Sequence, residues 1–296
     1  MLDYPLVEAV AAVLGTGSFE KAAGTLGLTP SAVSQRVKLL EERVGAVLVV
    51  RGQPCTATLA GARIRRHAAE VGLLEQRLGA DLGRPLSGEA RASVRIAVNA
   101  DSLATWFVEA MAAVQGRLFD LVIDDQSRSA EWLRRGEVSA AVSARSAPVQ
   151  GCRSRELGAL RYVATASPAF VARWFADGVN ADTLRLAPAM TFSVNDELQT
   201  GWIRRVTGKR LSPPMNWFPA TQAFVEASLA GIAWGMNPLA LVAEHLAAGR
   251  LVPLIAGKPY DVPLYWQWSR AVEPALKDVT DAVVKTARRH LLQRKK

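Results

Sequence analysis

Cysteine and histidine are scarce in this chain: two and three residues respectively among 296. Cys55 and Cys152 are too few for a disulfide framework and suit a reducing compartment. Neither a CxxC nor an HExxH pairing occurs, so zinc chemistry has no donor set to build on. His67, His245 and His290 fall in expected helices without an evident partner. GxSxG and GxxxxGK[ST] are also missing. The reading is therefore not an enzyme, with no metal and no cofactor. A membrane-spanning apolar run is lacking too. The nearest, residues 224–243, contains Glu226, two glycines and Pro238, and reads as helix, turn and strand. The opening MLDYPLVEAV carries an acid and no basic stretch, which argues against a secretory signal. No solenoid-type repeat or long low-complexity segment interrupts the chain. These absences lead to the expectation of a cytoplasmic protein of about two domains, without a membrane partner. Half the residues are apolar, ample for real cores.

The net charge of +9 invites a nucleic-acid reading, but its distribution does not carry one. Residues 1–90 hold 10 Lys/Arg against 9 Asp/Glu. Most of the excess lies later, partly in Arg288, Arg289 and the tail Arg294, Lys295 and Lys296. Such a tail reads as a solvated helix end. Any DNA contact must rest on which face bears the charge.

Residues 18–40, SFEKAAGTLGLTPSAVSQRVKLL, supply that face. Ser18 is a good N-cap and a candidate DNA contact, followed by Glu20 in the first turn. Phe19, Ala22, Ala23 and Leu26 give the first helix one apolar side, and the small alanines allow close approach. Gly27, Leu28 and Thr29 make a turn. Thr29 caps the second helix, with Pro30 at its first position. Val33, Val37 and Leu40 share one side of that helix. Ser31, Ser34, Gln35 and Lys38 share nearly the opposite one, with Arg36 at the flank. Polar, long-armed groups on a helix surface can hydrogen-bond base edges and phosphates in the major groove.

This SFxxAAxxLxxTPSAVSQxVxxLE pattern resembles the N-terminal signature of the LysR-type transcriptional regulators. The following LVVRGQPCTATLAG is similar to that family's wing. The resemblance implies that Arg51 and Thr58 contact the DNA backbone, and it extends over the whole chain. Asn99 to Phe107 (NADSLATWF), Val262 to Gln267 (VPLYWQ) and Pro54-Cys55 resemble the branch that regulates arginine and lysine export. The implied architecture is α/β: an N-terminal winged helix-turn-helix (1–58), a long linker helix with a hinge (59–90) and a C-terminal two-lobed, periplasmic-binding-protein-like effector domain (91–296). Lobe I would take about 91–161 and 267–296, lobe II about 162–266. The implied partners are double-stranded DNA, a small effector such as lysine or arginine, and further copies of the chain in a dimer or tetramer.

The later residues fit this organisation. Residues 59–82 read as one helix. Ile64, Val71 and Leu78 recur every seven residues, with Leu74 between the last two, as in a short dimerisation seam. Gly83 to Gly88 then reads as a hinge. From residue 92 onward, strand and helix patterns alternate, which argues for parallel strands with crossover helices. Crossovers between lobes are expected near residues 160–163 and 262–266. In open α/β sheets, ligands collect at the carboxyl ends of strands. That rule selects Asn99, Asp101, Ser102 and Thr105, then Ser143 and Arg145. In the second lobe it selects Ser193, Asn195 and Asp196, then Pro219 and Thr221, then Trp234. Ser102 and Thr105 stand in a first helical turn, where free amides favour a carboxylate. Asp101 and Asp196 suit an ammonium or guanidinium, or else merely cap the helices that follow them. Two features depart from the branch. Arg145 stands in a loop where relatives tend to be acidic, and Gln222 stands where they tend to have Glu. Both remove negative charge, so a neutral or acidic effector is the alternative to a basic amino acid. A sequence-tolerant architectural DNA binder is the alternative to a sequence-specific regulator.

Overall fold

A computed structural model describes residues 2–83, 93–123 and 129–293. The hinge residues after Gly83, the boundary at 90/91 and the tail 294–296 lie outside the described residues.

The head begins with α1 (Tyr4–Thr16), α2 (Phe19–Leu26) and α3 (Pro30–Val44). Ser18 Oγ accepts from Lys21 N and Thr29 Oγ1 from Ala32 N, so both predicted caps form. Each helix ends at a glycine in the left-handed region, Gly17, Gly27 and Gly45, which no side chain with a Cβ enters easily. Val10 and Val13 of α1, Ala22 and Ala23 of α2, and Val33, Val37 and Leu40 of α3 are buried in one core with Leu48 and Val49. The wing pairs β1 (Val49–Val50) with β2 (Thr56–Ala57), antiparallel. Glu41 fastens it: Oε1 accepts from Leu48 N at 2.8 Å and Val49 N at 3.2 Å.

Helix α4 (Leu59–Asp81) leaves the wing at close quarters. Thr58 Oγ1 accepts from Gly61 N and donates to Val47 O at 2.7 Å. A Cβ at Gly61 would fall 1.9 Å from Leu48 O, so only glycine permits this approach. The expected seam divides along the helix. Ile64 is partly buried and packs, like Ala60 and Ala68, against the head's own core. The reason is that α4 rises directly out of the wing, so its first turns face their own domain. Val71 is half-buried, while Leu74 and Leu78 are 41% and 50% exposed. Leu73, which lies off the heptad, is fully buried in the core of the C-terminal domain. Arg65 also reaches Glu137 of that domain at 3.8 Å; burial pushes its guanidinium pKa down, and nearby Arg95 adds to this.

The C-terminal domain starts with β3 (Ser93–Val98). Short α5 (Ala100–Ser102), a π turn at Leu103–Phe107 and α6 (Val108–Ala112) follow, then β4 (Leu118–Ile123), α7 (Ser129–Arg135) and β5 (Ala140–Ser143). Strand β3 lies between β4 and β5, parallel to both. The next strand, β6 (Cys152–Ala166), is far longer than expected. Its first half, RSRELGALR, looks like a charged loop, yet Leu157, Leu160 and Tyr162 are buried while Arg153, Arg155 and Glu156 are exposed. The second lobe contributes α8 (Pro168–Trp174), α9 (Ala181–Leu186), β7 (Ala189–Thr191), α10 (Leu198–Thr207) and β8 (Met215–Trp217). It continues with α11 (Thr221–Leu229), β9 (Gly235–Pro238), α12 (Leu239–Ala247) and β10 (Val252–Pro253). Strand β11 (Tyr260–Ser269) returns along β6, and α13 (Lys277–His290) follows.

The strands of the main sheet run β10-β6-β11-β5-β3-β4, with β9 also on β6. Only its β4-β3-β5 part is parallel; β6, β9, β10 and β11 pair antiparallel. The parallel part is the alternating strand and helix set that was expected to be so. Two long strands lying side by side in opposite directions carry the chain out of and back into lobe I. Residues 160–163 and 262–266 lie inside these two strands. Gly158, at φ +122°, sits opposite the register shift at Leu264/Tyr265. A Cβ there would lie 2.7 Å from Leu292 O.

Candidate functional site

Two sets of polar groups stand out. The first is the outer face of the head. Gln35 and Lys38 are exposed on α3, with Ser34 and Arg36 half-buried beside them. Lys38 lies 3.8 Å from Glu42. Ser31 Oγ pairs with Thr29 Oγ1 at 3.0 Å. Arg51 extends from the end of β1 back over this face. Its guanidinium lies 5.0 Å above the Phe19 ring, and Nη2 donates to Ser34 Oγ at 3.3 Å. Two residues predicted at the DNA surface are occupied within the fold. Ser18 caps α2 and donates to Glu20 at 2.6 Å, which holds that carboxyl below its usual pKa. Thr58 joins the wing to α4 as described above.

The second set lies between the lobes. A small cleft is lined by Asn99, Ala100, Asp101, Phe192, Asp196, Leu198, Thr221, Phe224, Met236 and Pro238. Asn99, Asp101, Asp196 and Thr221 were selected from strand ends; the apolar walls were not. The two carboxylates differ. Asp101 stands inside α5, whose N-cap is Asn99. Its Oδ2 accepts from the Tyr162 hydroxyl at 2.7 Å, and its Oδ1 accepts from Thr221 Oγ1 at 2.6 Å. A carboxylate of lobe I is thereby bonded to the crossover strand β6 and to the start of α11. Asp196 takes Leu198 N and Phe192 N, each at 3.0 Å, and so braces the turn leading into α10. Asn99 is buried, and its Oδ1 has no hydrogen-bond partner among the described residues. Among those residues no Lys, Arg or His lines the cleft. Its polar side chains are acceptors, apart from the Thr221 hydroxyl and the Asn99 amide.

The remaining selections lie elsewhere. Ser102 is buried and Trp234 fully so, its ring 5.5 Å from that of Trp202. Thr105 donates to Asp101 O at 2.6 Å, inside the π turn. Ser143 Oγ accepts from Arg145 N, and Gln267 Nε2 donates to Arg145 O, so that loop is tied to β11. Ser193 Oγ accepts from Asn195 N in the turn before Asp196. Pro219 is exposed. None of these lines the cleft, because the π turn and the strand pairing turn them into packing or loop contacts. Gln222 is exposed and donates to Glu226 at 3.4 Å. Tyr162 was missed, since a lone tyrosine among strand residues gives no sign that its hydroxyl meets a carboxylate 61 positions away.

A winged helical head, a linker helix and a two-lobed domain with a polar cleft define a ligand-responsive DNA-binding protein, and comparison with known proteins identifies the group. Residues 6–62 match the bacterial regulatory helix-turn-helix proteins of the lysR family, and residues 87–288 match the LysR substrate binding domain. The chain belongs to the LysR-type transcriptional regulators, which are not enzymes.

Among its relatives, the transcriptional regulator LysG of Mycobacterium tuberculosis is 43% identical over 282 residues, covering 95% of this chain and 92% of LysG. ArgP of Pseudomonas fluorescens is 42% identical over 296 residues, covering 99% of both. The crystal structure of ArgP from Mycobacterium tuberculosis has a TM-score of 0.83 at 41% identity, covering 99% of this chain and 100% of that one. Full-length LysG from Corynebacterium glutamicum, solved with bound effector Arg, has a TM-score of 0.70 at 35% identity with the same coverage. The chain thus groups with the regulators named LysG and ArgP.

Proposed function

We propose that this regulator senses a basic amino acid, arginine or lysine, in the cleft between its lobes and controls an amino-acid exporter gene through sequence-specific operator binding. The observation that carries the ligand reading is the acceptor-rich lining: two carboxylates, and an amide oxygen without a hydrogen-bond partner among the described residues. Such a surface fits a ligand that brings N–H donors and positive charge. The ligand's own carboxylate would meet the free backbone amides at the start of α11, whose N-cap Ala220 has no capping side chain. The relative with bound Arg supports the same class of ligand. Arg145 and Gln222, the two departures that favoured a neutral effector, lie outside this lining. The exporter target follows from resemblance to the branch.

Calorimetry with arginine, lysine and a neutral amino acid on the full chain tests the ligand. Asp101→Asn should weaken binding of the basic amino acids by roughly 1.5–3 kcal/mol, the worth of a hydrogen bond to a charged group. Asp196→Asn should cost less, because Asn keeps one acceptor for the Leu198 amide. No heat with either basic amino acid on the wild type would refute the ligand.

Operator reading is assigned to Ser31, Ser34, Gln35, Arg36 and Lys38 of α3, with Arg51. Gln35→Ala should cost about 1–3 kcal/mol at the preferred site and relax one base position. A sequence-tolerant binder would instead hold unrelated duplexes equally at fixed salt. Leu74 and Leu78 are assigned to pairing with a second copy. We place the site of action in the cytoplasm, where the chromosomal target would lie.

A further inference from the structure

The Arg51 guanidinium does not project freely from the wing. It rests on the Phe19 ring at 5.0 Å and donates to Ser34 Oγ at 3.3 Å, while no carboxylate pairs with it among the described residues. Phe19 is itself fixed by packing on the head core. An aromatic face below a guanidinium and a hydroxyl beside it restrain the cation without neutralising it. The wing cation is therefore bound to the recognition helix and would enter DNA as part of the same surface.

The bond also fixes the chemistry of Ser34. A guanidinium carries only donors, so the serine oxygen must accept. No other hydrogen bond to the Ser34 hydroxyl is present among the described residues, so its proton is directed away from Arg51 and is free to be donated. Serine alone reads donors and acceptors alike. Held as an acceptor by Arg51, it keeps its proton for donation and has one lone pair left, beside a cation that repels further positively polarised N–H groups, so donation outward is favoured. Building on the operator reading proposed above, we infer that Phe19, Arg51 and Ser34 form one specificity unit. Arg51 biases Ser34 to donate toward an acceptor on a base edge, such as purine N7, guanine O6 or thymine O4, and disfavours the amino group of cytosine beside the guanidinium. Phe19 positions Arg51.

The test uses the full chain and a duplex enriched by the wild type from a randomised library, together with all its single-base variants, at one salt concentration. Ser34→Ala, Arg51→Lys and Phe19→Leu are compared, with circular dichroism as a check on folding. Ser34→Ala should remove discrimination at one base pair, about fivefold, the worth of one net hydrogen bond. Arg51→Lys keeps the charge but loses the planar fork. It should flatten the same base pair, as should Phe19→Leu. The double variant Ser34→Ala/Arg51→Lys should discriminate there no less than Ser34→Ala alone. A uniform loss across all duplexes for Arg51→Lys, with base preferences intact, would overturn the unit and leave Arg51 a phosphate contact. Loss of preference at two different base pairs for Ser34→Ala and Arg51→Lys would overturn it equally. Absence of any base preference in the wild type would instead sink the operator reading itself.

Discussion

The head and the cleft are built from opposite uses of the sequence. In the head, the groups offered to DNA sit within a few turns of one another on α3, with Arg51 brought in by a hairpin that starts only a few residues beyond the helix. Helical periodicity alone puts them on one face. In the cleft, Asp101 meets a tyrosine 61 residues away and a threonine 120 residues away. No local rule predicts such partners; they follow from two long strands carrying the chain between lobes. A surface made by one helix can be recognised as a pattern, whereas a cavity made by topology can be recognised only as a set of candidates.

The two regions also have separate buried cores, and the largest expected effect tests that separation. Val37→Asp puts an uncompensated charge into the head core and should cost on the order of 3–5 kcal/mol. DNA binding should vanish while calorimetric binding of arginine persists. Loss of both would show that the cores fold as one. Next in size is Asp101→Asn, at the roughly 1.5–3 kcal/mol of a charge-assisted bond. It should spare binding to DNA measured without effector, and an equal loss of DNA affinity would blur the distinction between the regions. Gly61→Ala comes third. The added methyl meets Leu48 O, and overpacking of this kind costs about 1–3 kcal/mol. Operator affinity should fall as the wing shifts against α4, with effector affinity unchanged. The smallest effect on the fold belongs to Leu74→Asp. This side chain is already largely exposed, so subunit stability should move by no more than about 0.5 kcal/mol. Light scattering should nonetheless report a smaller species, and an unchanged mass would remove Leu74 from the pairing surface.

Legibility followed the same division. Helices α2 and α3 of the head, their caps and the outer face were readable because Ser18, Thr29, Pro30 and the glycines act within a few residues. The start of α4 was readable; its partner surface was not. Ile64 obeys the heptad and yet packs on its own head, while Leu73 breaks the heptad and is buried in the other domain. Periodicity states which residues share a stripe, not what the stripe touches. In the C-terminal domain, Asn99, Asp101, Asp196 and Thr221 were found from strand ends, whereas Ser102 and Trp234, chosen by the same rule, are buried packing groups. The first half of β6 escaped because its exposed face carries arginine and glutamate, and its alternation was hidden by charge. The apolar walls of the cleft, Phe192, Phe224 and Met236, carry no chemical signal that separates them from ordinary core.

The contact between Gly61 and Leu48 makes the head and α4 a single stiff lever. With 23 residues, α4 is about 34 Å long at roughly 1.5 Å per residue. The wing is joined to one end through Thr58 and Gly61, and no soft joint lies between it and the recognition helix. A change in the direction of α4 is therefore delivered undamped to the DNA surface. Over this length a tilt of about five degrees moves the head by about 3 Å, close to the base-pair rise of about 3.4 Å. In this geometry, small adjustments at the far end of α4 are worth one step of sequence register.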